Sequence, residues 1–175
     1  MLTNNFYKAL WDSMAIGESF MSGELKKVEG TTISPSSSDY KQIYPFAVDT
    51  ITDDYAATQK QESGQFQHRM GLLIGSDGTP PTLDDYKMIN QITSGFTYQL
   101  SRPRDSATVS STKKLILDLS VTNTSSSDLT VRELGFVKTC NWDLILLDRT
   151  VFDTPVVIAP GATKTFEYRL NMPTP

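Results

Sequence analysis

Leu115-Ile116-Leu117-Asp118-Leu119-Ser120-Val121-Thr122 is the stretch on which the fold turns. Leu115, Leu117, Leu119 and Val121 alternate with Ile116, Asp118, Ser120 and Thr122. A period of two puts the first set on one face of an extended chain, so the stretch reads as a strand with one buried side. Asn123-Thr124-Ser125-Ser126-Ser127-Asp128 follows as a polar turn. Leu129-Thr130-Val131 opens a second strand, but its apolar set resumes at Leu134 and Phe136, one residue out of phase. The slip predicts a bulge near Arg132-Glu133.

Downstream, residues 144–147, 150–152 and 156–158 read as three more short strands separated by Asp and Pro. Pro160-Gly161 is a turn, after which Phe166, Tyr168 and Leu170 face away from Thr165, Glu167, Arg169 and Asn171. About five or six short strands with turns every 8 to 12 residues suit an antiparallel sandwich or barrel. The expected fold is mainly β: an antiparallel β-sandwich, jelly-roll or Ig-like, with an N-terminal helix or arm. The expected division is a helix or arm over 1–22 and a sandwich over 23–175, clearest over 112–172.

Upstream, Met70-Gly71-Leu72-Leu73-Ile74 and Tyr44-Pro45-Phe46-Ala47-Val48 are candidate strands, and 34–39 is a loop by composition. Residues 75–81 form a turn-rich connection in which Gly75 and Gly78 are expected to take backbone angles closed to other residues. Thr82 and Asp85 make a capping-box-like pair, so 82–88 reads as a helical turn or two with Asp84 and Asp85 at its positive end. Arg132, Glu133 and Arg149 are expected to pair across strands at the surface, where such pairs contribute at most about 1 kcal/mol.

Residues 2 to about 22 carry helical spacing. Thr3 or Asn4 can cap the helix; Phe6, Leu10 and Met14 share one face, and Tyr7 and Trp11 form a second pair. Such a helix lies on its own domain or docks on a neighbour. In the second case, deleting 1–17 should leave the β domain folded and abolish assembly. Trp142, between Asn141 and Asp143, reads as a hairpin tip that either folds back on its sheet or stacks on a sugar or protein partner. The partner-contact candidates are therefore Phe6, Tyr7, Leu10, Trp11, Met14 and Trp142.

Composition narrows the chemistry. A net charge of -4 and a pI near 4.9 supply no cationic surplus for phosphates, which argues against nucleic acid. No apolar run approaches the roughly 20 residues of a membrane helix, and no signal peptide opens the chain. Cys140 is the single cysteine, which suits assembly in a reducing cytoplasm, and His68 the single histidine. One chain therefore lacks the four ligands of a structural zinc site, and Gln65-Phe66-Gln67-His68-Arg69 resembles no catalytic triad segment. Gly75-Ser76-Asp77-Gly78 lacks the lysine of a phosphate loop. Asp53-Asp54, Asp84-Asp85 and Glu133 are glycosidase carboxylates by type only, and Asp77, Asp84 and Asp85 do not match an EF-hand. The residues point to no enzyme, no metal and no cofactor.

Two blocks carry a resemblance. One is Gly71 to Met88; the other runs through Val121-Thr122-Asn123-Thr124-Ser125, Val131-Arg132-Glu133-Leu134-Gly135-Phe136, Leu147-Asp148-Arg149-Thr150-Val151 and the segment 154–168. Together they resemble small virion proteins of tailed bacteriophages. In those a G-x-G-x-x-P-x-x-x-D-Y-x-L segment precedes a sheet reading roughly T-N-x-S, I-x-E-x-G, L-x-R-x-V, P-V-x-I-x-x-G and T-F-x-Y. The likeness spans about 100 of the 175 residues. It departs at Ser76-Asp77 and at Asn141-Trp142-Asp143, and 24–69 matches nothing in it. It implies a non-enzymatic structural part of a virion (capsid decoration, neck, tail or fibre), made in the bacterial host cytoplasm. Its partners would be copies of itself, a trimer by analogy, and other phage virion proteins. The alternatives are a host-glycan-binding module of a tail fibre or baseplate, using Trp142 and Ser125-Ser126-Ser127, and a cell-wall hydrolase.

Overall fold

Strands whose side chains alternate between water and core must satisfy their backbone groups through neighbours, and this chain does so in antiparallel ladders. The computed structural model describes residues 1–7, 25–33, 70–100, 104–105, 112–140 and 143–173. Within them lie β1 (Leu25–Lys26), β2 (Thr32–Ile33), β3 (Met70–Gly75), β4 (Phe96–Leu100), β5 (Arg104–Asp105), β6 (Thr112–Asn123), β7 (Leu129–Cys140), β8 (Asp143–Ile158) and β9 (Thr163–Pro173). The protein is mainly β, and every pairing between strands is antiparallel.

One sheet has the order β3-β7-β8. In the other, β6 is central, with β9 along one side and β4 and β5 in succession along the other. β1 and β2 form a separate hairpin. The alternation that opens the sequence reading is visible in burial: Leu117, Leu119 and Val121 are buried, while Asp118, Ser120 and Thr122 are partly exposed. The buried set joins Leu72, Ile74, Leu100, Val131, Phe136, Ile145 and Tyr168 in one apolar cluster that draws on both sheets. Phe136 stacks on Tyr168 at 5.1 Å and Phe152 on Phe166 at 5.9 Å, each pair joining one sheet to the other.

The far face of β3-β7-β8 is also covered. Leu73, Val137 and Leu146 meet Met88 there, with Val28 and Leu144 at the margin. Gly135 lets Met88 in, since a Cβ would stand 2.9 Å from Leu146 Cδ1 and closer still to Met88. β7 is therefore buried on both sides at its centre, which explains why Leu134-Gly135-Phe136-Val137 does not alternate with polar residues.

The bulge expected near Arg132-Glu133 is present: Val131 pairs Val156, and the next pair is Glu133 with Val151. The extra residues are on β8, which is one continuous strand of 16 residues and not three short ones. Asp153 and Pro155 fall in the unpaired stretch between Val151 and Val156, where a missing N–H interrupts no ladder. A second slip follows between Phe136 and Val137. The polar turn at 123–128 is held from inside. Buried Asn123 donates to the carbonyls of Ser127 and Ile158, both at 2.8 Å, and accepts from Ser125 N at 2.9 Å.

Residues 82–88 are a turn and not a helix. The Leu83 carbonyl accepts from Asn4 N at 2.8 Å, a long-range bond in place of the local one a helix would propagate. The start of the expected N-terminal helix is described only as one helical turn over 4–7, and 8–22 lies outside the described residues. So do the candidate strand at 44–48 and the loop at 34–39.

Candidate functional site

The second face of β3-β7-β8 carries charge as well as Met88. Glu133 and Arg149 project there from adjacent strands, with Arg149 opposite Gly135 and Glu133 opposite Val151. Both side chains are fully buried. Arg149 Nε donates to Glu133 Oε2 at 2.6 Å, Nη1 to Asp85 Oδ2 at 3.0 Å and Nη2 to the Thr79 carbonyl at 3.1 Å. Asp77 Oδ1 lies 3.7 Å from Nη2. Glu133 Oε1 accepts from Asn90 N at 3.2 Å. The Arg149–Glu133 pair therefore ties the 76–91 loop to the sheet, Arg149 through residues 77–85 and Glu133 through Asn90. The cross-strand pair expected at the surface forms, but it is buried, so its removal is governed by desolvation and not by surface screening.

The loop is built to receive it. Its ends close through Ser76 N to the Asn90 carbonyl and Ile92 N to the Ile74 carbonyl, both at 2.9 Å. Asp85 accepts from Thr82 N at 3.0 Å and from Thr82 Oγ1 at 2.8 Å, so the capping-type pair forms without a helix. Asp77 accepts from Thr79 N at 2.7 Å. Gly75 serves by having no side chain; neither it nor Gly78 is among the glycines with positive φ, which are Gly30, Gly95 and Gly161. A Cβ on Gly75 would stand 2.6 Å from Glu133 Cγ, and one on Gly78 would stand 2.6 Å from Arg132 Nη1.

Tyr86 fastens the loop to the β1-β2 hairpin. Lys26 Nζ lies 3.8 Å from the centre of its ring, and a Cβ on Gly30 would stand 3.6 Å from Tyr86 Cε2. Asn5 then joins the hairpin to the N-terminal segment, donating to the Lys26 carbonyl at 2.7 Å and accepting from Lys26 N at 2.9 Å.

Burial works against the charge on Arg149, but bonds to Glu133 and Asp85 outweigh it and hold the guanidinium above its ordinary value. At Asp85 burial raises the carboxyl; the Thr82 N–H and hydroxyl, then Arg149, outweigh it and leave the group below 3.8. A depressed carboxyl contributes its full stability above the unfolded value and loses it as pH falls through the folded one. Denaturation curves should therefore show stability dropping as pH is lowered below about 4, with a shallower drop in Asp85→Asn. An equal slope in both proteins would show that Asp85 does not supply this dependence.

A second polar cluster is centred on buried Asp148. It takes the Met1 ammonium at 2.9 Å, Thr150 Oγ1 at 3.2 Å and the hydroxyl of Tyr168. Burial, then the Asp148 carboxylate, pushes the Tyr168 phenol far up, so it remains a donor.

These contacts reassign several sequence candidates. Asp77 and Asp85 turn toward Arg149, and Asp84 accepts from Asn4 Nδ2 at 2.9 Å, so the trio does not converge on a cation. Glu133 lies behind the loop with no exposed surface. Among the partner-contact candidates, Phe6 is 6% exposed and belongs to the main cluster, while Tyr7, edge-on to it at 5.8 Å, is 51% exposed. Leu10, Trp11, Met14 and Trp142 lie outside the described residues, as do Asp53, Asp54 and His68. The Glu133–Arg149 pair is expected from sequence, but its burial and the part taken by Asp85 are not, although Asp85-Tyr86, Glu133 with Gly135, and Arg149 all stand in the strings that carry the resemblance.

Among the described residues no helix is long and apolar enough to cross a membrane. Comparison with known proteins finds no matching family model, no matching curated protein and no matching solved structure.

Proposed function

We propose that the chain is a non-enzymatic structural component of a tailed-phage virion. It assembles with copies of itself and with other virion proteins as a capsid decoration, neck, tail or fibre protein. One observation carries the reading. The scattered fragments that resemble such proteins meet in space, with Gly75, Asp85, Glu133, Gly135 and Arg149 forming or enclosing one buried clamp. Residues that meet in this way behave as one structural motif. A buried ion pair adds little net stability over an apolar pair, and the role we assign to this one is to fix the loop on the sheet. A loop fixed before contact binds without an ordering cost, which suits a surface used once per subunit in a particle. The finer fold we assign is an antiparallel β-sandwich, jelly-roll or Ig-like, with an N-terminal helix or arm. The cluster shared between the two sheets supports the sandwich.

The test is mass spectrometry of purified particles of the phage that encodes this chain. The expected result is the chain at a fixed copy number per particle. Absence from particles would overturn the reading, and release of fragments from host envelope by the purified chain would replace it with a hydrolase.

A further inference from the structure

A sheet edge exposes unpaired N–H and C=O groups that recruit another strand unless they are covered or broken. Most edges here are managed within the described residues. Along β8, Thr3 N donates to the Leu147 carbonyl at 3.0 Å, Arg149 N to the Met1 carbonyl at 3.1 Å and Val28 N to the Leu144 carbonyl at 3.0 Å. The end of β3 is closed by Gln91 and Ile92. Opposite β9, the edge is divided between β4 and β5, of five and two residues. β9 differs. It is eleven residues long, about 37 Å of edge. Among the described residues its only strand partner is β6, in unbroken register from Thr112–Pro173 to Thr122–Thr163.

Over residues 165–171 the chemistry of this strand is complementary to itself in the reverse direction. Tyr168 is its midpoint, flanked by Glu167 and Arg169, then Phe166 and Leu170, then Thr165 and Asn171. Two copies aligned antiparallel about Tyr168 overlap over the whole strand and set each Glu167 opposite Arg169 of the other copy. The Arg169 and Glu167 side chains are 57% and 36% exposed and already bond to each other within one chain. Charged edge residues ordinarily discourage pairing, but that protection works when the facing charges repel. Here they attract.

We infer that β9 is a contact between two copies of this chain, an antiparallel β9–β9 pairing about a two-fold axis at Tyr168. It joins two β6-centred sheets into one. The contact is isologous, so by itself it makes dimers and not the trimer implied by the resemblance. The inference deepens the assembly reading and rests on it for its biological purpose alone.

The experiment is sedimentation equilibrium of the full chain and three variants, with melting curves to check folding. The wild type should dimerise. Glu167→Arg and Arg169→Glu should each weaken the dimer about tenfold, because both symmetry-related pairs turn repulsive. The double exchange, E167R with R169E, should restore it. A wild-type monomer, single reversals without effect, or a double exchange that fails to restore would overturn the pairing. A trimer indifferent to all three variants would overturn it too, yet leave the virion reading intact. Absence from particles would remove the virion reading and leave a charge-dependent dimer standing.

Discussion

Arg149→Met is expected to cost about 3–5 kcal/mol of folding stability, because it strands Glu133 as an uncompensated buried carboxylate. Glu133 has no exposed side-chain surface, and its remaining described bond is from Asn90 N. A loss of this size is a large share of the roughly 5–15 kcal/mol that holds a domain together. The measurement is chemical denaturation, with the midpoint falling and the slope unchanged. Hydrogen exchange should show where the loss acts: the amides of Ser76 and Ile92, which close the loop, should exchange faster than those of β6.

The same arrangement predicts strong non-additivity. With Glu133→Leu added to Arg149→Met, the stranded charge is gone and an apolar pair fills the volume, so most of the loss should be recovered. Asn90 N and the Thr79 carbonyl lose partners in that protein, but both residues are exposed and can turn to water. A single Arg149→Met that loses less than about 1 kcal/mol would mean that water reaches Glu133 and that the clamp behaves as a surface pair.

What could be read from sequence divides along a physical line. The β6 strand, the Asn123 turn and the slip at Arg132-Glu133 were legible because each is written in neighbouring residues. The continuity of β8 was not, since Asp153 and Pro155 signal a break locally and only the missing ladder opposite Arg132 makes them harmless. The clamp joins Asp85, Glu133 and Arg149 across 64 positions of chain, and charged residues default to the surface in any local reading. Gly75 invited an argument from backbone freedom, whereas the structure uses the space left by its missing side chain. The Thr82-Asp85 pair forms as its spacing predicts, but no helix follows it, because Asn4 takes the Leu83 carbonyl that a helix would need.

Deleting residues 1–7 is expected to destabilise the β domain, which favours the alternative in which the N-terminal segment lies on its own domain over the one in which it docks on a neighbour. Thr3 and Asn5 are buried, and Thr3 Oγ1 donates to the Leu146 carbonyl at 2.8 Å. The segment also covers the edge of β8 through the Thr3 and Arg149 amides. Phe6 fills part of the main cluster, so Phe6→Ala alone should cost about 3–5 kcal/mol and lower the melting temperature by roughly 10 °C. Tyr7→Ala removes a half-exposed ring and should cost far less, within about 0.5 kcal/mol beyond its edge contact with Phe6. The contrast between neighbouring residues is the informative result, since it separates a segment packed as core from one that waits for a partner. Equal and small losses at both positions would return residues 1–7 to the role of a docking arm. A large loss at Phe6 only makes Tyr7 the residue of this segment to probe for assembly, because it can be changed without unfolding what it is attached to.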